Sequence, residues 1–218
     1  NTLDLSTSEL NTLANGFNSI TIGRADGSGE IMLKSDVVFN DPVTLRSPVG
    51  SGSIDTTGYT LTGADNATIS LLANQGITTG NIINSGRSIA LTSTSGKIDT
   101  RAGTLNSSST TSNGGAIALF ANQEIAAGAI TTQSSTGVGG TLNLTSQTGN
   151  ITTNNLNTSG GTDGGKIALS GQGSLATGNL NSSGTINGGD IQADAKTGIT
   201  TGQIDSSGQS GRAGTLSL

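Results

Sequence analysis

The sequence predicts an all-β chain wound as a parallel β-solenoid, a triangular coil of three short strands and three corners with a period of about 25 residues. Three observations predict it. An apolar-x-apolar pair recurs as Ile69/Leu71, Ile89/Leu91, Ile117/Leu119, Leu142/Leu144, Ile167/Leu169, Ile191/Ala193 and Leu216/Leu218. The step between first members is short from Ile69 to Ile89, long from Ile89 to Ile117 and nearly constant from there on. Two more aliphatics follow each pair at nearly fixed offsets, first Ile77, Ile98, Ile125, Ile151, Leu175 and Ile199, then Ile82, Leu105, Ile130, Leu156, Leu180 and Ile204. The composition, with 35 Gly, 2 Pro and 2% aromatic residues, does not suit a core of bulky side chains, so many short stacked strands must supply the cohesion.

From the N-terminus, Ser6 followed by Glu9 reads as a capping box, and Leu10, Leu13 and Phe17 would share one face of a short helix lying on the solenoid or covering its edge. Ile20-Thr21-Ile22, Ile31-Met32-Leu33 and Val43-Thr44-Leu45 are strand-like, but residues 1–66 lack the strict period. We expect them to form irregular coils continuous with the regular coils of 67–218, in one domain spanning 1–218. Within a regular coil, period-two alternation as in Ile167-Ala168-Leu169 sends one side chain inward and the next outward. A short strand cannot bury its aliphatic face alone, so coils must stack at the ~4.8 Å strand spacing, each completing its neighbour.

Small residues mark the corners. Gly114-Gly115, Gly139-Gly140, Gly164-Gly165 and Gly188-Gly189 close successive coils. Asn106, Thr131, Asn157, Asn181 and Asp205 recur at the coil period and form a candidate ladder, read as turn-stabilising or as a binding surface.

Charge and residue type narrow the function classes. The net charge of −5 arises from scattered single acids and bases, with no basic run to track phosphates, so nucleic acid is not an expected partner. The chain has no Cys and no His, which removes disulfides, thiolate sites and the commonest metal ligand and general base. No apolar run approaches the ~20 residues of a membrane span, and no signal peptide opens the chain, so targeting signals are expected elsewhere in a longer protein.

Gly149-Asn150-Ile151-Thr152-Thr153, Gly165-Lys166-Ile167-Ala168-Leu169 and the opening Ser19-Ile20-Thr21-Ile22-Gly23-Arg24-Ala25-Asp26-Gly27-Ser28-Gly29 resemble interior segments of filamentous-haemagglutinin-like exoproteins of two-partner secretion systems. The resemblance covers most of the chain through degenerate motifs that autotransporter passengers share. It implies a right-handed β-helix, export through an outer-membrane transporter, and an adhesive or filament-forming role on the bacterial surface or outside the cell. The Asn-Pro-Asn type motif of the family's secretion domain is replaced by Asn40-Asp41-Pro42, which implies an interior segment instead.

Other constellations carry less. Gly160 to Lys166 has the spacing of a phosphate loop, but Ile167 stands where a magnesium-binding hydroxyl belongs, so a glycine corner is expected. Asp26 and Glu30 could offer carboxylates to Ca²⁺ but lack a full ligand pattern, and a plain turn is expected. Asp190 and Asp194 flank one strand and Asp99 lies near Lys97 and Arg101, without the facing pair a glycosidase needs. Ile77-Thr78-Thr79, Ile151-Thr152-Thr153 and Ile199-Thr200-Thr201 suggest an ice-binding array. Its outward column, however, reads Thr78, Asp99, Ala126, Thr152, Ala176 and Thr200, interrupted at three positions.

The expectation is therefore a structural or adhesive segment that is not an enzyme and needs no cofactor or metal. Its partners would be neighbouring coils of the same longer chain, together with glycans, surfaces or other copies. A carbohydrate-active or carbohydrate-binding β-helix is the alternative, and an ice-binding solenoid a remote one.

Overall fold

The computed structural model describes residues 7–10 and 12–218. It is a β-solenoid of about eight turns, roughly 24 residues each, in which every strand pairing is parallel. The first face is a nine-stranded sheet running Ile20–Ile22, Val43–Ser47, Ile69–Ala73, Ile89–Ser93, Ile117–Ala121, Leu142–Ser146, Ile167–Gly171, Ile191–Ala195 and Leu216–Ser217. The second and third faces belong to one 14-stranded assembly, because Ser53–Gly63 and Gly76–Asn84 run through both. In later coils this long strand divides in two, as in Ile151–Thr153 followed by Leu156–Asn157.

The aliphatic columns stack as the spacing predicts. Ile117, Leu142, Ile167 and Ile191 are successive register partners, as are Ile125, Ile151, Leu175 and Ile199. Strands of the first face alternate buried and outward residues, and the buried ones from all three faces merge into a single core. Burying each Ile or Leu so placed contributes roughly 1.5–3 kcal/mol by removing its apolar surface from water.

The irregular periods have a cause in the third corner. Between Ile69 and Ile89 this corner is short, closed by Asn84 Nδ2 donating to Ser88 O at 2.9 Å. The next coil takes a longer arch, from Ser107 to Gly115, in addition to the bend at Arg101-Ala102-Gly103. Later coils repeat the arch, and the step becomes nearly constant. In the Ser53–Gly63 strand, Thr57-Gly58-Tyr59 loop out between the register pairs Thr56/Thr79 and Thr60/Asn81, with Gly58 at φ +81°.

The expected short N-terminal helix is present, but the apolar face read for it needs correction. The helix is a single turn, Thr7–Leu10, and it ends because Thr12 N and Leu13 N donate to Glu9 O and Leu10 O, an i−3 pattern that tightens the chain out of the α-helix. Leu13 and Phe17 lie beyond it and are exposed, and Gly16 turns the chain at φ +114°. Of the helix-face trio only Leu10 packs against the core. Ser6, half of the expected capping box, lies outside the described residues. From Ile20 onward the irregular coils share the ladders of the regular ones, Ile20 pairing with Val43 and Ile31 with Ile54.

One interior column is mostly threonine, interrupted at Ala127. Thr56, Thr79 and Thr100 are fully buried, and none of their hydroxyls has a hydrogen-bond partner. At the same strand end two later coils, Thr153 and Thr177, turn theirs onto the carbonyls of Asn154 and Gly178 at 3.0 and 3.1 Å. An unmatched buried hydroxyl costs about 1–3 kcal/mol.

Three outcomes follow. Leu169→Asp sets a carboxylate between Leu144 and Ala193 in the core and should lower stability by ~3 kcal/mol or more, unfolding neighbouring coils together in a chemical melt. Ala168→Asp, on the outward side of the same strand, should change stability by ~0.5 kcal/mol or less. Thr79→Val removes an orphan hydroxyl at nearly constant shape and should raise stability by about 1 kcal/mol, with unchanged circular dichroism.

Candidate functional site

The proposed ladder is assembled as read. Asn106, Thr131, Asn157, Asn181 and Asp205 are consecutive register partners at the end of the third face, all half-buried. Their chemistry turns back onto the chain. Asn106 Oδ1 accepts from Ser108 N at 2.9 Å, Asn157 Oδ1 from Ser159 N at 3.0 Å, Asn181 Oδ1 from Ser183 N at 3.0 Å and Asp205 Oδ1 from Ser207 N at 3.0 Å. Each is an Asx turn that starts the arch, because a short amide or carboxylate reaches the N–H two residues on. Thr131, lacking that reach, instead places its hydroxyl 3.1 Å from Ser108 Oγ. Between coils, Asn157 Nδ2 donates to Gln133 Oε1 at 2.8 Å.

A second ladder stands beside the first and escaped the sequence reading. Ser107, Thr132, Thr158 and Ser182 each donate their hydroxyl to the carbonyl of Gly115, Gly140, Gly165 or Gly189 at 2.7 Å, and Ser206 reaches Gly214 O at 3.4 Å. The same glycines return an N–H to the same residues' carbonyls at 2.7–2.8 Å. Every arch is thus pinned at its base by a reciprocal pair. The signal was present, since a Ser or Thr follows each ladder residue at the coil period and alternation turns it inward. The paired glycines are demanded by this closure: a Cβ on Gly165 would lie 2.1 Å from Gly140 O, and one on Gly164 1.7 Å from Ser182 O.

The other constellations resolve locally. Gly160 to Lys166 is part of an arch leading into the strand Ile167–Gly171, with Lys166 exposed and no helix following. Asp26 is held by the Arg24 guanidinium through two bonds of 2.8 Å, which with a backbone hydrogen bond keeps its carboxyl below the usual range. Among the described residues no three acidic side chains gather into a metal-binding group. Asp99 pairs with Arg101 at 2.5 Å, whereas Lys97 reaches Glu124 on the next coil at 3.8 Å. Asp190 accepts from Thr215 N at 2.7 Å, while Asp194 stands exposed on the first face, one coil beyond Ser170.

Thr78, Asp99, Ala126, Thr152, Ala176 and Thr200 do form one outward column on the second face, with its interruptions in place. Beside it, at the corner between the second and third faces, Ala129, Thr152, Thr153, Asn154, Asn155, Ala176, Thr177 and Gly178 line an open groove of about 500 Å³. Its polar side chains are amides and hydroxyls without a titratable group. Several already serve the fold: Asn155 Oδ1 accepts from Asn179 N at 2.9 Å, and the Thr153 and Thr177 hydroxyls donate to Asn154 O and Gly178 O.

Asp205 is the titrating member of the ladder. The Ser207 N–H and then the Ser207 hydroxyl hold its carboxyl below the usual range, against a smaller opposing effect of burial. The contribution to stability is therefore present above the ordinary carboxylate pKa and is lost as pH falls through the lowered one. Carboxyl-carbon NMR should place the Asp205 midpoint below that of an unstructured aspartate. Asp205→Asn should keep the turn and lessen the acid sensitivity of the coil around Ile204.

No protein-family profile matches the chain, and no curated protein sequence and no solved structure shows significant similarity to it.

Proposed function

We propose that this chain is a structural and adhesive segment of a bacterial surface or secreted protein, of the filamentous-haemagglutinin-like kind that its repeats resemble. The observation that carries the reading is a contrast between inside and outside. Inward columns keep one chemistry from coil to coil, Ile117, Leu142, Ile167 and Ile191 for example. Outward columns change at nearly every step, as in Asp99, Ala126, Thr152 and Ala176. A scaffold built this way holds a long array of small polar groups at a fixed pitch and favours extended ligands met at many weak points. Such contacts gain strength through multiplicity.

A carbohydrate-binding role is the second reading, favoured by the neutral groove beside Thr152 and Ala176, whose amides and hydroxyls suit sugar hydroxyls. The two readings separate in one set of measurements. Beads coated with the protein should adhere to host cells or extracellular-matrix surfaces more than uncoated beads, and a broad polysaccharide panel should show no new reducing ends. Release of reducing ends by the purified chain would replace the adhesive reading with an enzymatic one. Thermal hysteresis with ice shaping would replace it with ice binding.

A further inference from the structure

The outer side of the nine-stranded sheet carries a pattern that the coil-by-coil chemistry does not require. At the fourth position of its strands the outward residues run Arg46, Leu72, Thr92, Phe120, Thr145, Ser170 and Asp194, each in register with the next. At the second position they run Thr44, Ser70, Ala90, Ala118, Asn143, Ala168 and Gln192. Between Arg46 and Asp194 neither column holds a charge. Buried neighbours on both sides fix the outward direction of Leu72 and Phe120, which are themselves only half-buried.

Read from its two ends, the first column is nearly palindromic. A cation at one end answers an anion at the other, Thr92 answers Thr145, and Phe120 stands at the midpoint beside the small Ala118. We propose that this face binds a second copy of the chain, the two packing antiparallel about a two-fold axis that runs along the strand direction at Phe120.

Such an axis returns the surface onto itself, as an isologous interface requires. It sets Arg46 against the partner's Asp194 at both ends, Thr92 against the partner's Thr145, and Phe120 against the partner's Phe120. Neither Arg46 nor Asp194 has an ion-pair partner within the chain among the described residues. The parallel alternative would oppose Arg46 to Arg46 and Asp194 to Asp194, so charge selects the antiparallel arrangement.

The size is sufficient. Five-residue strands span ~17 Å and six ladder steps ~29 Å, so the face covers about 500 Å² on each copy. Two copies bury about 1,000 Å² in total, at the threshold for a specific interface, which points to a reversible dimer. This pairing stands independently of the surface-protein reading.

Sedimentation velocity over a wide concentration range tests it, with a monomer of 21.3 kDa as the reference mass. The expected result is a reversible dimer. Arg46→Glu and Asp194→Arg should each weaken association by about tenfold or more, and the double variant should recover it. Phe120→Lys should leave a monomer with unchanged circular dichroism. The chain contains no cysteine, so a single introduced one reports the geometry. Under mild oxidation with copper phenanthroline, Phe120→Cys should crosslink to itself. Leu72→Cys should crosslink only when mixed with Ser170→Cys. A species that stays at monomer mass, a Phe120→Lys variant that dimerises like the parent, a double variant without recovery, or self-crosslinking of Leu72→Cys would each overturn the proposal. So would a chain that remains monomeric and binds a glycan through Phe120.

Discussion

The parallel backbone ladder between one coil and the next is the interaction on which the rest of the molecule rests. A strand this short cannot persist alone, and its N–H and C=O groups find partners only if the chain returns to the same face ~4.8 Å further along the solenoid. That requirement turns sequence distance into spatial register, as when Ile117 N donates to Thr141 O at 2.9 Å and Leu142 N to Lys166 O at 2.8 Å. Everything else serves the return: aliphatics fill the interior, glycines let backbones pass at corners, and short polar side chains occupy the groups that corners leave unpaired.

Much of this was legible in the sequence because the inward positions at the middle of each strand admit little but Ile, Leu, Val or Ala. A column such as Ile125, Ile151, Leu175 and Ile199 therefore announces itself by spacing alone. The Asx ladder was legible for a similar reason, since only a short amide or carboxylate closes that turn well. The hydroxyl ladder of Ser107, Thr132, Thr158 and Ser182 was harder to see, because Ser and Thr occur throughout this chain and others, such as Thr56 and Ser93, are buried as well. The short N-terminal helix is present as the spacing predicts, but its extent is not. Leu10, Leu13 and Phe17 have helical spacing, but Gly16 and the i−3 closure at Glu9 and Leu10 stop the helix before the spacing is used.

The corners show how the fold tolerates irregularity. Strand positions are fixed by neighbours on both sides, whereas an arch contributes length without disturbing the register of the sheets. The short step before Ile89 ends where the pinned arch replaces a short third corner, and the step after it is longest because that coil also carries the bend at Arg101-Ala102-Gly103. Once the arch exists it recurs, because each supplies partners to the next: Gly114 N meets Val138 O, and Gly139 N meets Asp163 O. Gly160, Gly184 and Gly208 are bridged in the same way.

Constraint inside and freedom outside have a consequence for recognition. An outward residue on the ladder owes nothing to packing, so a patterned outer column reflects something beyond the fold. On the second face the column mixes Thr, Asp and Ala without order, as a solvated surface would. On the first face Thr92 and Thr145 flank Phe120 and opposite charges stand at the two ends, with Leu72 answered by Ser170. The second-face column was readable from spacing, whereas the members of the first-face column stand a full coil apart in the chain and take their order from the register that sets them in a line. The solenoid thereby converts a degenerate repeat into a ruled surface, on which a symmetric arrangement of a few residues is sufficient to specify a partner and its direction.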